Sequence, residues 1–140
     1  MALTYNKINS FVEAICEKKH NLASDQLKVA LTNTAPVATN SVLADLTGVL
    51  ATTNLSGANP FNLTTTSSSQ TSGTYSLVLV DLTLTATGSV GPFRYIAVYN
   101  DTATNDELIG FYDIGSSVTL ATGESYLLDF SEAQTLLTLV

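Results

Sequence analysis

A chain of 140 residues is sized for one domain, and its composition (45% hydrophobic, 12% charged, about a quarter Thr and Ser) describes a strand-rich protein with a hydroxylic surface. The net charge of −7 has the wrong sign for binding nucleic-acid phosphates. The single cysteine excludes an internal disulfide framework, and no apolar run approaches the ~18 residues of a membrane span.

Charge is unevenly placed. Through residue 28, four lysines (Lys7, Lys18, Lys19, Lys28) against three acids leave +1; beyond it, Arg94 stands against nine acids and leaves −8. A near-neutral N-terminal segment therefore precedes an acidic body. Two readings follow: a solvated helix leading into the domain, or a docking element whose lysines Lys7, Lys18 and Lys19 meet an acidic partner surface.

Residues 6–20 place Ile8, Phe11, Val12 and Ile15 at i, i+3, i+4 and i+7, the stripe of an amphipathic helix. Asn6 is suited to cap its start, and Lys18, Lys19 and His20 suit the negative end of its dipole. The period then changes. Leu27, Val29 and Leu31 alternate with Lys28, Ala30 and Thr32, which predicts a half-buried strand over 26–32. Residues 33–74 follow neither period and read as a long irregular connection, with a helical turn at 41–46 and a short strand at 61–66. Its Thr/Ser tract from Thr64 to Ser72 reads equally well as an exposed edge strand.

From residue 75 the chain is β. One strand is expected over 75–87, with Val78, Val80, Leu82 and Leu84 on one face and Tyr75, Leu77 and Leu79 on the other. A turn at 88–92 leads to a central strand over 93–100. A polar loop at 100–106 follows, then strands at 108–112, 116–120, 125–130 and 135–140, with turns at Gly115 and Gly123. One helix followed by about eight strands, without alternation, predicts a mainly β fold: an antiparallel β-sandwich with one N-terminal α-helix. The organisation is a single domain over 1–140, a helical segment at 1–24 followed by the sandwich at 25–140.

The residues offer little chemistry. Cys16 and His20 are four apart on the expected helix, but no second Cys or His completes a zinc site, and the pair reads as a buried thiol beside a surface imidazole. A Cys–His nucleophile lacks any motif for an oxyanion donor. Asp101, Asp106, Glu107 and Asp113 offer hard oxygens for a cation, though without calcium-loop spacing, and the same stretch is ordinary turn chemistry. Both readings stand. Neither phosphate-binding glycine motif occurs, and Arg94, between Phe93 and Tyr95, is expected to pair with a neighbouring acid. No catalytic residue, cofactor or small-molecule ligand is expected.

Three segments carry a resemblance. They are Leu27-Lys28-Val29-Ala30-Leu31-Thr32-Asn33-Thr34-Ala35-Pro36 with Leu43-Ala44-Asp45-Leu46-Thr47; Val90-Gly91-Pro92-Phe93-Arg94-Tyr95-Ile96-Ala97-Val98-Tyr99-Asn100-Asp101-Thr102; and Leu108-Ile109-Gly110-Phe111-Tyr112-Asp113-Ile114-Gly115-Ser116-Ser117-Val118-Thr119-Leu120. Together they resemble small virion structural proteins of tailed bacteriophages: head decoration (cement) proteins and related head or fibre components. Two stretches depart from that pattern, Ser131-Glu132-Ala133-Gln134 before the last strand and Asn59-Pro60-Phe61 in the long connection. The resemblance implies a non-enzymatic protein on the capsid surface of a virion, made in the host bacterial cytoplasm. Its implied partners are the major capsid protein and further copies of itself, as a homotrimer or other symmetric oligomer. The alternative is a tail, collar or fibre part that binds carbohydrate or a host surface, with Tyr75, Tyr95, Tyr99, Tyr112 and Tyr126 as stacking faces. In either case Lys7, Lys18 and Lys19 are the expected partner contacts.

Overall fold

The computed structural model describes residues 3–130 and the backbone of 135–139. The chain opens with strand β1 (Thr4–Lys7), helix α1 (Ser10–Cys16) and strand β2 (Leu27–Thr32). A single 3-10 turn (Leu43–Asp45) interrupts the long connection before β3 (Thr65–Thr71), β4 (Thr74–Leu79) and β5 (Leu82–Thr85). Then come β6 (Val90–Asn100), β7 (Leu108–Leu120), β8 (Ser125–Leu128) and β9 (Thr135–Leu139). All pairings are antiparallel, in three sheets ordered β1-β7-β6-β2, β3-β4-β9 and β5-β8. The fold is the expected antiparallel β-sandwich with one N-terminal helix. The segment Ser131-Glu132-Ala133-Gln134 lies outside the described residues.

Register explains the core. Leu27, Val29 and Leu31 of β2 stand opposite Asn100, Val98 and Ile96 of β6, so their side chains share one face. Leu77 and Leu79 of β4, Leu84 of β5 and Leu128 of β8 join the same buried cluster from the two smaller sheets. On β7, Gly110 lies under the ring of Tyr5, which fills the space a Cβ would occupy. That close approach lets the Tyr5 hydroxyl donate to the Ile109 carbonyl at 3.3 Å. The outer face of β2 is covered too: Ala30 and Thr32 are buried. Residues 47–63 close the free edge of β2 through Leu50 N–H to Leu31 O, Val29 N–H to Phe61 O and Leu63 N–H to Leu27 O, at 2.9–3.0 Å. Thr32 Oγ1 donates to Thr47 O at 2.6 Å. The half-buried strand expected here is thus covered on both sides.

Several elements differ from the sequence reading. Residues 4–7, which overlap the expected start of the helix at Asn6, pair as β1 with β7, from Thr4 opposite Asp113 to Lys7 opposite Gly110. A strand partner at the sheet edge outweighs the helical period there. Helix α1 is consequently only seven residues long and has no side-chain cap at Asn9. It buries Phe11 and Ala14, with Ile8 buried just before it, while Val12 is 42% exposed. Cys16 is exposed and His20 buried, the reverse of the expectation.

The 75–87 strand divides at Val80 and Asp81, and the buried positions pass from odd (Leu77, Leu79) to even (Leu84, Ala86). That change of parity is the mark of a chain crossing from one sheet to another. Residues 108–120 form one strand, with Gly115 (φ 93) in a bulge: Phe93 faces Val118, and Tyr95 faces Asp113. The Thr/Ser tract is a strand, β3, at a sheet edge, as its second reading had it. It meets β4 through Ser72 and Gly73, both at positive φ (51 and 83), the two-residue loop that hairpins favour.

Candidate functional site

Two of the three candidate lysines lie where α1 ends. Lys18 N–H donates to Ile15 O and Lys19 N–H to Ala14 O, at 3.1 and 2.8 Å. With Lys18 at φ 64, these bonds make a Schellman stop. Glycine is the usual residue at such a left-handed position, because a Cβ there costs roughly 1–2 kcal/mol. Lys19 forms an exposed ion pair with Glu17 at 2.9 Å, which holds its ammonium charged above the usual lysine range. Lys7 is exposed on β1 beyond the other end of the helix.

Behind the stop lies a buried polar network that sequence reasoning missed. Asn100, at the end of β6, donates from Nδ2 to Asp25 Oδ2 at 2.7 Å and lies 3.0 Å from His20 Nδ1. Its Oδ1 accepts the N–H groups of Thr102 and Ala103, turning the chain after β6. Since Asn100 offers N–H to Nδ1, the imidazole carries its proton on Nε2, which is buried without a partner among the described residues. Burial pulls the His20 pKa below its ordinary value, against the opposing charges of Glu107 and Asp25. The only sequence signal for this network is Asn100-Asp101-Thr102, an Asx-type turn after a long apolar strand. The partners Asp25 and His20 are 75 and 80 residues away.

Two depressions flank Lys18. A polar cleft of about 530 Å³ runs over Lys19, Asp25, Glu107 and the loop at 102–105. An apolar groove of about 390 Å³ is lined by Ile15, His20, Leu22 and Tyr75. Lys18 and Asn21 border both. The structure therefore brings Lys18 and Lys19 together beside these two depressions, with Lys7 on a separate element. The surface offers hydrogen bonds, charge of both signs and an apolar patch to a partner.

Elsewhere the candidate residues are engaged structurally. Arg94 grips Asp113 with two bonds of 2.8 and 2.9 Å, as expected, and lies over the Tyr95 ring. Asp113 is held below the ordinary carboxylate range by Arg94 and by the Gly115 N–H. Asp101 pairs with Lys28 at 2.9 Å. Among the described residues, no three His, Cys, Asp or Glu side chains gather as metal ligands. Tyr99 and Tyr112 are buried in the core, which removes them as stacking faces, whereas Tyr75 borders the apolar groove. Comparison with family models, curated proteins and solved structures finds no match.

Proposed function

We propose that this protein is a non-enzymatic structural component of a tailed-bacteriophage virion: a capsid decoration protein that bridges major capsid protein subunits from outside. One observation carries the reading. The segments that resemble small phage virion proteins fold into one connected body. Three of them form β2, β6 and β7, contiguous in one sheet. The short segment at 43–47 is tied to the β6–β7 loop by Leu43 N–H to Asp106 O, at 2.9 Å. The resemblance thus covers a scaffold rather than scattered loops.

A bridging role uses surfaces rather than reacting groups. On a symmetric shell each weak contact is repeated, and avidity multiplies contacts of ~0.2–1 kcal/mol each. The test is the protein composition of purified virions. A fixed high stoichiometry to the major capsid protein is expected; a few copies per particle, or none, would refute the role.

The apolar groove beside Tyr75 favours one second reading, a fibre, tail or collar part that binds carbohydrate or a host surface. Binding of the isolated protein to a glycan array would support it, and loss of that binding in Tyr75→Ala would place it in this groove.

A further inference from the structure

Charge within the strands is confined to one sheet, although Asp81, Glu124 and Asp129 lie in connections of the others. The charged residues that lie in strands are Lys7, Lys28, Arg94 and Asp113, all in the four-stranded sheet. Strands β3, β4, β5, β8 and β9 contain none. Between Asp45 and Asp81 the sequence has no charged residue at all, in a chain of net charge −7.

Strand β3 lies within this uncharged stretch, and among the described residues no strand pairs with its outer side. Monomeric proteins blunt such edges with lysine, proline, inward charges or a bulge. Here the sequence is Thr65-Thr66-Ser67-Ser68-Ser69-Gln70-Thr71, without charge or proline. The register shifts once, between Thr65 and Ser67, and then runs regularly through Thr71.

We propose that residues 67–71 of β3 pair antiparallel with the same residues of a second copy, about a two-fold axis. Three points select a second copy as the occupant. Antiparallel self-pairing is complementary by construction, since each outward N–H meets an outward C=O of the mate. Hydroxyl side chains match their own kind across a strand pair. Finally, two acidic bodies repel through charged faces, so an edge strand drawn from the uncharged stretch 46–80 is where they approach at least electrostatic cost. A charged partner finds no complement on β3. The inference goes beyond the virion reading and does not rest on it, and among the expected symmetric oligomers it selects a two-fold dimer over the homotrimer.

The test uses the full chain in solution. Sedimentation over a concentration series is expected to show a monomer–dimer equilibrium. Ser69→Lys with Thr71→Lys, both on exposed positions, is expected to weaken the dimer at least ten-fold with an unchanged circular dichroism spectrum. Ser69→Thr is expected to leave it intact. Independently, single cysteines at 67–71 in a Cys16→Ser background are scanned for a disulfide-linked dimer. Facing residues near the axis fall within bridging distance, and this scan decides the matter if the lysine variant fails to fold. A monomer at every concentration, a trimer, or a dimer that neither responds to the lysines nor crosslinks would overturn the proposal.

Discussion

His20 is a buried imidazole, so its protonation is tied to folding. Its folded pKa lies below the ordinary value of 6.5 because burial disfavours the imidazolium. Glu107 and Asp25 oppose that effect, and Lys19 adds to it. The stability that His20 contributes is fully present above about pH 6.5 and is lost as pH falls through the folded pKa, since the unfolded chain binds the proton first. Chemical denaturation from pH 7.5 down to pH 5 should show stability falling on acidification, with a slope of at most about 1.4 kcal/mol per pH unit for one proton. His20→Gln should flatten that slope. Lys18 poses the opposite question, a side chain held where glycine costs less. Lys18→Gly should raise stability by about 1 kcal/mol in thermal or chemical unfolding. If Lys18 is a partner contact, the same change weakens capsid binding, and the two readouts move in opposite directions.

Among the elements, α1 is held by what it buries. Seven residues with no side-chain cap form a weak helix in isolation, yet Ile8 and Phe11 are fully enclosed in the core. Phe11→Ala should cost about 3–5 kcal/mol, read as a lower denaturant midpoint with an unchanged m-value. The apolar period made the helix legible, and alternation made β2 legible. The start of the helix was not, because pairing of residues 4–7 with β7 is a contact 107 residues away in sequence at Tyr5 and Tyr112, and no local period reports it. Gly115 misled for a related reason. A glycine at positive φ serves a turn or a bulge equally, and only the register of β6 on β7 decides between them. The division of 75–87 was visible in hindsight as a change of buried parity, but both faces are apolar there, so the sequence pattern alone did not show which face was buried. The polar network at Asn100 depends entirely on long-range partners.

On the scale of the whole molecule, one charged part is the four-stranded sheet with its helix, while the smaller sheets have uncharged strands joined by connections that carry Asp81, Glu124 and Asp129. The lysines at 7, 18 and 19 belong to the charged part, and Lys19 is already paired with Glu17. Changing all three to Gln should lower occupancy on stripped capsids and reduce the salt sensitivity of rebinding, with each pair worth only ~0.2–1 kcal/mol. Equal occupancy and equal salt dependence in the folded variant would assign these lysines to solvation alone. Capsid contact through the lysines and self-pairing through β3, both as proposed, would use adjoining regions, since Ser68 of β3 lines the same groove as Lys18.

A capsid decoration protein lies on the outside of the shell. That location is tested most directly by electron cryomicroscopy of virions produced with and without this gene. Density over the capsomers, repeated with the shell symmetry, is expected to disappear in the deletion particles. Identical shells in the two maps, or density lost from the tail instead, would contradict it.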